Sequence, residues 1–180
     1  TLRKFDKGIN CHLLLSASRQ HAAPAKRDLD RDLAAIFEIL DITSCSLSHD
    51  THVPDQGKTK ALQVLWGETK FEYSIGSWNY HLTPTSFFQN HLLQAEKLLQ
   101  IANAFVTDSS RRVLDAYCGG GFLSIPLHQS CETILGFDSD YQAIECATEN
   151  ARRNGATHSK YITVQGENAF RHKQLIGFSP

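Results

Sequence analysis

The C-terminal half of this 180-residue sequence predicts an α/β fold with a parallel sheet, and three observations carry that reading. Short apolar segments, Arg112 to Ala116, Thr133 to Phe137 and Tyr161 to Gln165, alternate with segments of helical periodicity. Strand, helix, strand, helix, strand at this spacing is the pattern of parallel strands joined by right-handed crossovers. A glycine turn, Gly119 to Gly121, follows the first strand, and an acid, Asp138, ends the second.

The elements follow in order. Ile9 to Ser16 is mostly apolar and reads as a strand. His21 to Arg27 contains Pro24 and two basic residues and reads as a loop. From Asp28 to Leu40, Leu29, Leu33, Ile36, Phe37 and Leu40 recur at helical spacing, with acids near the start that suit the helix dipole. His49 to Lys60, with Pro54 and Gly57, is a second loop. Ala61 to Trp66 and Lys70 to Ile75 both alternate and suggest a hairpin closed at Gly67-Glu68. A short strand, Trp78 to Leu82, ends at Thr83-Pro84, and helical periodicity runs from about Gln89 to Phe105. Past the glycine turn, Phe122 to His128 reads as a helix of uncertain length, because it contains Pro126. Tyr141 to Asn154 is a helix stopped by Gly155. The expected organisation is a small α+β segment over residues 1–85, followed over 86–180 by the first half of an α/β domain.

Hydrophobic residues make up 41% and charged residues 21%, which argues against disorder. The apolar runs are too short to span a membrane, and no secretory signal opens the chain. A net charge of -1 argues against nucleic-acid contact over the whole surface, since such affinity rests on phosphate neutralisation. It leaves room for a cofactor domain whose RNA grip lies elsewhere. None of the five cysteines forms a C-x-x-C pair, so no metal is expected, and the odd count reads as reduced cytoplasmic thiols.

The chemistry centres on Val113-Leu114-Asp115-Ala116-Tyr117-Cys118-Gly119-Gly120-Gly121. Glycines after a buried strand let the backbone take positive φ and approach a ligand closely. An acid at the end of the next strand, here Asp138, accepts from the ribose hydroxyls of an adenosine cofactor in Rossmann-like folds. The plainer alternative is a turn that only reverses the chain, with Asp138 capping a helix. Phe122-Leu123-Ser124 follows the glycines, so the third glycine of a nicotinamide motif is absent and NAD is disfavoured.

Asp115 to Gly121 resembles the first motif of class I S-adenosylmethionine-dependent methyltransferases, and its Tyr-Cys-Gly form resembles the RNA uracil-C5 methyltransferases. Thr83-Pro84-Thr85-Ser86-Phe87-Phe88-Gln89, followed by Gln94-Ala95-Glu96-Lys97-Leu98, is similar to a stretch characteristic of the same family. The resemblance runs from about residue 61 to Asn168 and is strongest between Thr83 and Gly121. It implies an incomplete Rossmann-like class I methyltransferase domain that binds S-adenosyl-L-methionine.

Carried over position by position, the resemblance makes Gln89 a contact to the methionine end of the cofactor. Tyr117, Gly119 and Gly121 form the cofactor loop. Asp138 accepts from the ribose, where the family more often has glutamate. Asn168 lies beside the adenine, a looser match, since Glu167 could fill that role. Phe122 departs from the family pattern and is assigned no polar contact. Cys118 matches the loop cysteine and not the family's nucleophile.

In the family a cysteine thiolate adds to C6 of uracil, C5 attacks the methyl group, and a base removes the C5 proton. The target base must also leave its stack. The nucleophile and base belong to later motifs, and the residues after Asn168 contain no cysteine. The resemblance therefore implies that this chain supplies cofactor-binding residues and no catalytic ones. The RNA, tRNA or rRNA, would be met through a longer parent protein. Two readings compete: a class I methyltransferase with another substrate, and a cofactor-binding remnant that modifies nothing.

Overall fold

The computed structural model describes residues 2–5, 8–15, 38–39, 42–49, 61–68, 70–84, 86–89, 91–106, 111–176 and 178. The helix expected at Asp28 to Leu40 and the two early loops lie outside these residues, except that Glu38 and Ile39 are helical and His49 ends a strand. The chain divides into two compact units, Thr1–Phe71 and Glu72–Pro180. The sequence boundary near residue 85 lies later, beyond a hairpin that the contacts group with the second unit.

The first unit carries a four-stranded sheet of order β1-β2-β3-β4. Its strands are β1 (Leu2–Phe5), β2 (Gly8–Leu15), β3 (Ile42–His49) and β4 (Ala61–Trp66). β2 lies parallel to β3, while β1 and β4 run antiparallel to their neighbours. β3 has no apolar alternation to announce it. Ser44, Cys45 and Ser46 are all buried, so both faces of the strand are covered at small side chains.

The hairpin expected between Ala61–Trp66 and Lys70–Ile75 does not form. β4 pairs with β3, and β5 (Phe71–Ile75) pairs instead with β6 (Trp78–Leu82) in a separate two-stranded sheet. Two features explain the difference. Gly67, at φ 79°, presses against Thr43 and Ser44 and so turns the chain on the edge of β3. Gly76, at φ 57°, opens a two-residue turn that returns β5 directly onto β6. Phe71, Tyr73 and Ile75 then alternate inward, as do Tyr80 and Leu82.

The parallel sheet follows as expected, in the order β7-β8-β9: β7 (Arg112–Ala116), β8 (Thr133–Asp138) and β9 (Ser159–Thr163). β7 pairs with β8 and β8 with β9, both parallel. The central strand buries Ile134, Leu135, Gly136 and Phe137 in succession, as a strand covered on both faces must. Helix α1 (Leu92–Phe105) precedes the sheet, α2 (Ser124–Leu127) is a single turn, and α3 (Tyr141–Arg153) crosses from β8 to β9. A 3-10 segment (Gly166–Arg171) and α4 (Lys173–Ile176) follow β9.

α1 begins at Leu92 rather than Gln89. His91 is its N-cap, with Nδ1 accepting from Gln94 N–H at 3.4 Å. α3 is capped by Asp140, whose carboxylate accepts from Gln142 N–H at 2.8 Å. It ends in Arg152 and Arg153, favourable at a helix C-terminus, and Gly155 follows at φ 75°. Its buried stripe is Ala143, Ile144, Cys146, Ala147, Asn150 and Ala151.

Candidate cofactor site

β7 delivers the chain to the C-terminal end of the sheet, where three residues in five turn left-handed: Tyr117 at φ 59°, Gly119 at 51° and Gly121 at 82°. Added side chains at the two glycines would meet different obstacles. At Gly119 a methyl group would find open space, so the glycine answers to its φ alone; at Gly121 it would lie 2.8 Å from Ile125 Cδ1. The turn is held from below by Cys118 N–H donating to the Phe137 carbonyl at 3.0 Å, and it closes through Gly121 N–H to the Cys118 carbonyl at 2.9 Å.

Asp138 sits half-buried at the end of β8. Its Oδ2 accepts from Gly119 N–H at 2.9 Å and its Oδ1 from Asp140 N–H at 3.0 Å. The helix cap is the neighbouring Asp140, so Asp138 braces the glycine turn against the strand that follows it. A carboxylate offers about four lone-pair sites, and two N–H donors leave acceptor capacity for hydroxyl groups.

Groups to which the sequence reading gave no role of their own hold this corner. Asn150, fully buried, donates from Nδ2 to the carbonyls of His81 and Gly120, both at 3.0 Å, and accepts from His81 N–H at 2.6 Å. It ties α3, β6 and the glycine turn together. Asp115, on β7, takes hydrogen bonds from Ser124, while its Oδ2 is buried with no partner. Burial pushes its carboxyl above the usual range, the Ser124 bonds pull it partly back, and the Asp138 charge adds to the rise. Ser124 Oγ in turn lies 3.2 Å from Tyr161 Oη. Exposure alternates along β7, so Asp115 points inward while its apolar neighbours Leu114 and Ala116 point out, an orientation that the sequence pattern does not signal.

Cys118 is buried, and burial, with Asp115 and Asp138 nearby, drives its thiol far above the ordinary range. It is a neutral packing group, not a nucleophile. Phe122 is a core residue: its carbonyl accepts from Tyr80 Oη at 3.0 Å and its ring packs on Phe88 at 5.4 Å.

The Ser86 to Gln89 stretch is anchored by alternate residues. Ser86 is buried, and its Oγ accepts from Thr83 N–H at 3.1 Å. Phe88 enters an aromatic cluster with Tyr73, Tyr80 and Phe122. Phe87 is exposed, and Gln89 is half-buried one residue beyond the Phe88 anchor. Since Phe122 directly follows Gly121, this packing brings the stretch up to the glycine turn.

Of the six expected residues, Gly119 and Asp138 are hydrogen-bonded, Gly121 completes the same turn, and Tyr117 opens it. The Tyr117 ring packs on Phe137 at 5.7 Å and reaches Gly166 in the loop after β9. Asn168 lies exposed two residues beyond Gly166. Among the described residues, no side-chain bond joins Gln89 or Asn168 to the other four. Nor is there a group of three metal-ligating side chains, or a helix long and apolar enough to cross a membrane.

Residues 96–176 match the family model of ribosomal protein L11 methyltransferase. An uncharacterized RNA methyltransferase of Clostridium tetani is 31% identical over 157 residues, covering 86% of this chain and 34% of the relative. Another, of Clostridium acetobutylicum, is 36% identical over 105 residues, 58% of this chain and 23% of the relative. The chain is related to the RNA methyltransferases. It spans about a quarter to a third of the length of these two relatives. The crystal structure of Pyrococcus abyssi tRNA (uracil-54, C5)-methyltransferase with S-adenosyl-L-homocysteine superimposes with a TM-score of 0.63 at 21% identity, covering 91% of this chain and 37% of that one. The fold is thus the Rossmann-like fold of class I methyltransferases.

Proposed function

We propose that this chain supplies the S-adenosylmethionine-binding part of a methyltransferase acting on C5 of uridine in tRNA or rRNA. The observation that carries the reading is the joining of two motifs: Phe88 of the Ser86 to Gln89 stretch packs on Phe122, at the exit of the glycine turn that Asp138 braces. The local chemistry fits an adenosyl cofactor. The open space over Gly119 admits a ligand close to the backbone, and Asp138 retains acceptor capacity for ribose hydroxyls.

In this reading Gln89 holds the methionine end, Gly119 and Gly121 line the turn, and Tyr117 and Asn168 flank the adenine. The bound cofactor supplies an electrophilic methyl group. This chain's residues orient it and shield it from one side. No residue of this site is assigned as nucleophile or base: Cys118 is buried and neutral, and Cys45 and Cys146 are buried as well. Cys131 is half-buried with its thiol pushed up by burial, so it is no activated thiolate either.

The family match to a protein methyltransferase favours a second substrate class only in part. It covers residues 96–176 and so takes in the glycine turn but not Ser86 to Gln89. The shared portion is the cofactor half, whereas the stretch outside it resembles the uracil-C5 enzymes. Mass spectrometry of RNA nucleosides after loss of the gene tests the substrate. Loss of 5-methyluridine is expected; unchanged 5-methyluridine at every site contradicts the reading.

A further inference from the structure

We infer that Gly166 is a positioning residue for the Tyr117 ring, and that the pair shapes the adenosine end of the site. The inference rests on the proposed cofactor reading and adds to it a residue to which that reading gives no role.

Glycine at 166 is not demanded by the backbone. Among the described residues the glycines with left-handed φ are Gly67, Gly76, Gly119, Gly121 and Gly155, and Gly166 is not one of them. What excludes a side chain there is Tyr117. A methyl group on Gly166 would overlap the Tyr117 hydroxyl and lie 3.0 Å from both Cε1 and Cζ. These atoms are the far end of a side chain that is 69% exposed, so the ring could swing aside without disturbing the core. Replacing Gly166 therefore moves Tyr117 and leaves the fold intact.

Tyr117 is also the one described non-glycine residue with positive φ. A left-handed backbone at such a residue is uncommon and costs energy, and it persists only where its surroundings enforce it. Here the neighbouring Cys118 N–H is tied to the Phe137 carbonyl. The result is an aromatic ring carried out of the first loop, over Phe137, to the start of the third loop. That third loop bears Glu167 and Asn168, whose side chains suit the polar edge of a purine. An exposed ring held beside polar donors and acceptors is a platform for a flat heterocycle. Gly166 fixes the distance between that platform and the polar pair, so the ligand class is a purine nucleoside or its derivatives.

The test is calorimetric titration of the full chain with S-adenosylhomocysteine and, separately, with adenosine. Gly166→Ala is expected to weaken both by about tenfold, the scale of one aromatic contact, with an unchanged melting temperature. In a Tyr117→Ala background the same substitution should cost nothing more. Tyr117→Phe, which removes the overlapping hydroxyl, should recover part of the loss in the Gly166→Ala chain. Wild-type affinity in Gly166→Ala overturns the inference. So does a loss that adds in full to that of Tyr117→Ala, or one that comes with a lowered melting temperature. If the wild-type chain binds neither ligand, the cofactor reading itself fails and this inference falls with it.

Discussion

Gly119 N–H donates to Asp138 Oδ2 at 2.9 Å, across the gap between the ends of two parallel strands. The bond joins the two features that the sequence set apart, the glycine turn and the acid. It uses one carboxylate oxygen for the scaffold, and Asp140 N–H uses the other. A residue that braces a turn and still faces outward can serve structure and ligand at once, so each must be read out separately.

Asn150 tests the scaffold alone. Asn150→Ala would leave His81 N–H and the His81 and Gly120 carbonyls without their partner. A buried polar group left unpaired costs about 1–3 kcal/mol, so urea denaturation should show a loss of at least that size. A change within error would mean that water replaces the side chain freely.

Gly136→Ala probes the packing beneath the turn. A methyl group there would lie 2.5 Å from Tyr161 Cδ1 and 3.1 Å from Cys118 Sγ. Both are buried, so neither can swing into solvent, and overpacking of this kind costs roughly 1–3 kcal/mol. A lowered melting temperature is expected. An unchanged one would show that the Tyr161 ring has room to shift.

The pH dependence of stability should carry a signature of Asp115. Its carboxyl is raised in the folded chain, chiefly by burial. The folded state therefore holds this proton to higher pH than the unfolded state does, and stability falls as pH rises from the ordinary carboxylate range through the folded value. Asp115→Asn removes that titration. Relative to wild type, the variant should gain stability as pH rises above the ordinary carboxylate range in denaturant titrations. A difference that stays constant over that rise would contradict the assignment.

How much of this was legible depended on what each residue displays. β7, β8 and α3 were readable because periodic apolar residues and Gly155 mark them, and Asp138 because it ends an apolar strand. β3 was hidden because Ser44 and Ser46 are buried, although serine usually signals a surface or a turn. The β4–β5 hairpin was misread because both strands alternate correctly and only the choice of partner was wrong; pairing is a tertiary fact that alternation does not encode. Asn150 was missed because a polar residue on a helix reads as a solvated face until its partners are seen.

Gln89 divides the ligand into two ends. Gln89→Ala should weaken S-adenosylmethionine binding and leave adenosine binding largely unchanged, since Gln89 is assigned to the methionine portion. Paired titrations with the two ligands measure this. Equal losses for both would move Gln89 away from the methionine end.

The most direct test of the central claim, that the braced glycine turn binds an adenosyl cofactor, is calorimetric titration of S-adenosylhomocysteine into the wild-type and Asp138→Ala chains. Removing charge-assisted hydrogen bonds worth roughly 1.5–3 kcal/mol should weaken binding about tenfold to hundredfold, while Asp138→Glu loses much less. Equal affinity of Asp138→Ala and wild type, with the fold unchanged by circular dichroism, would contradict the account and remove Asp138 from the site.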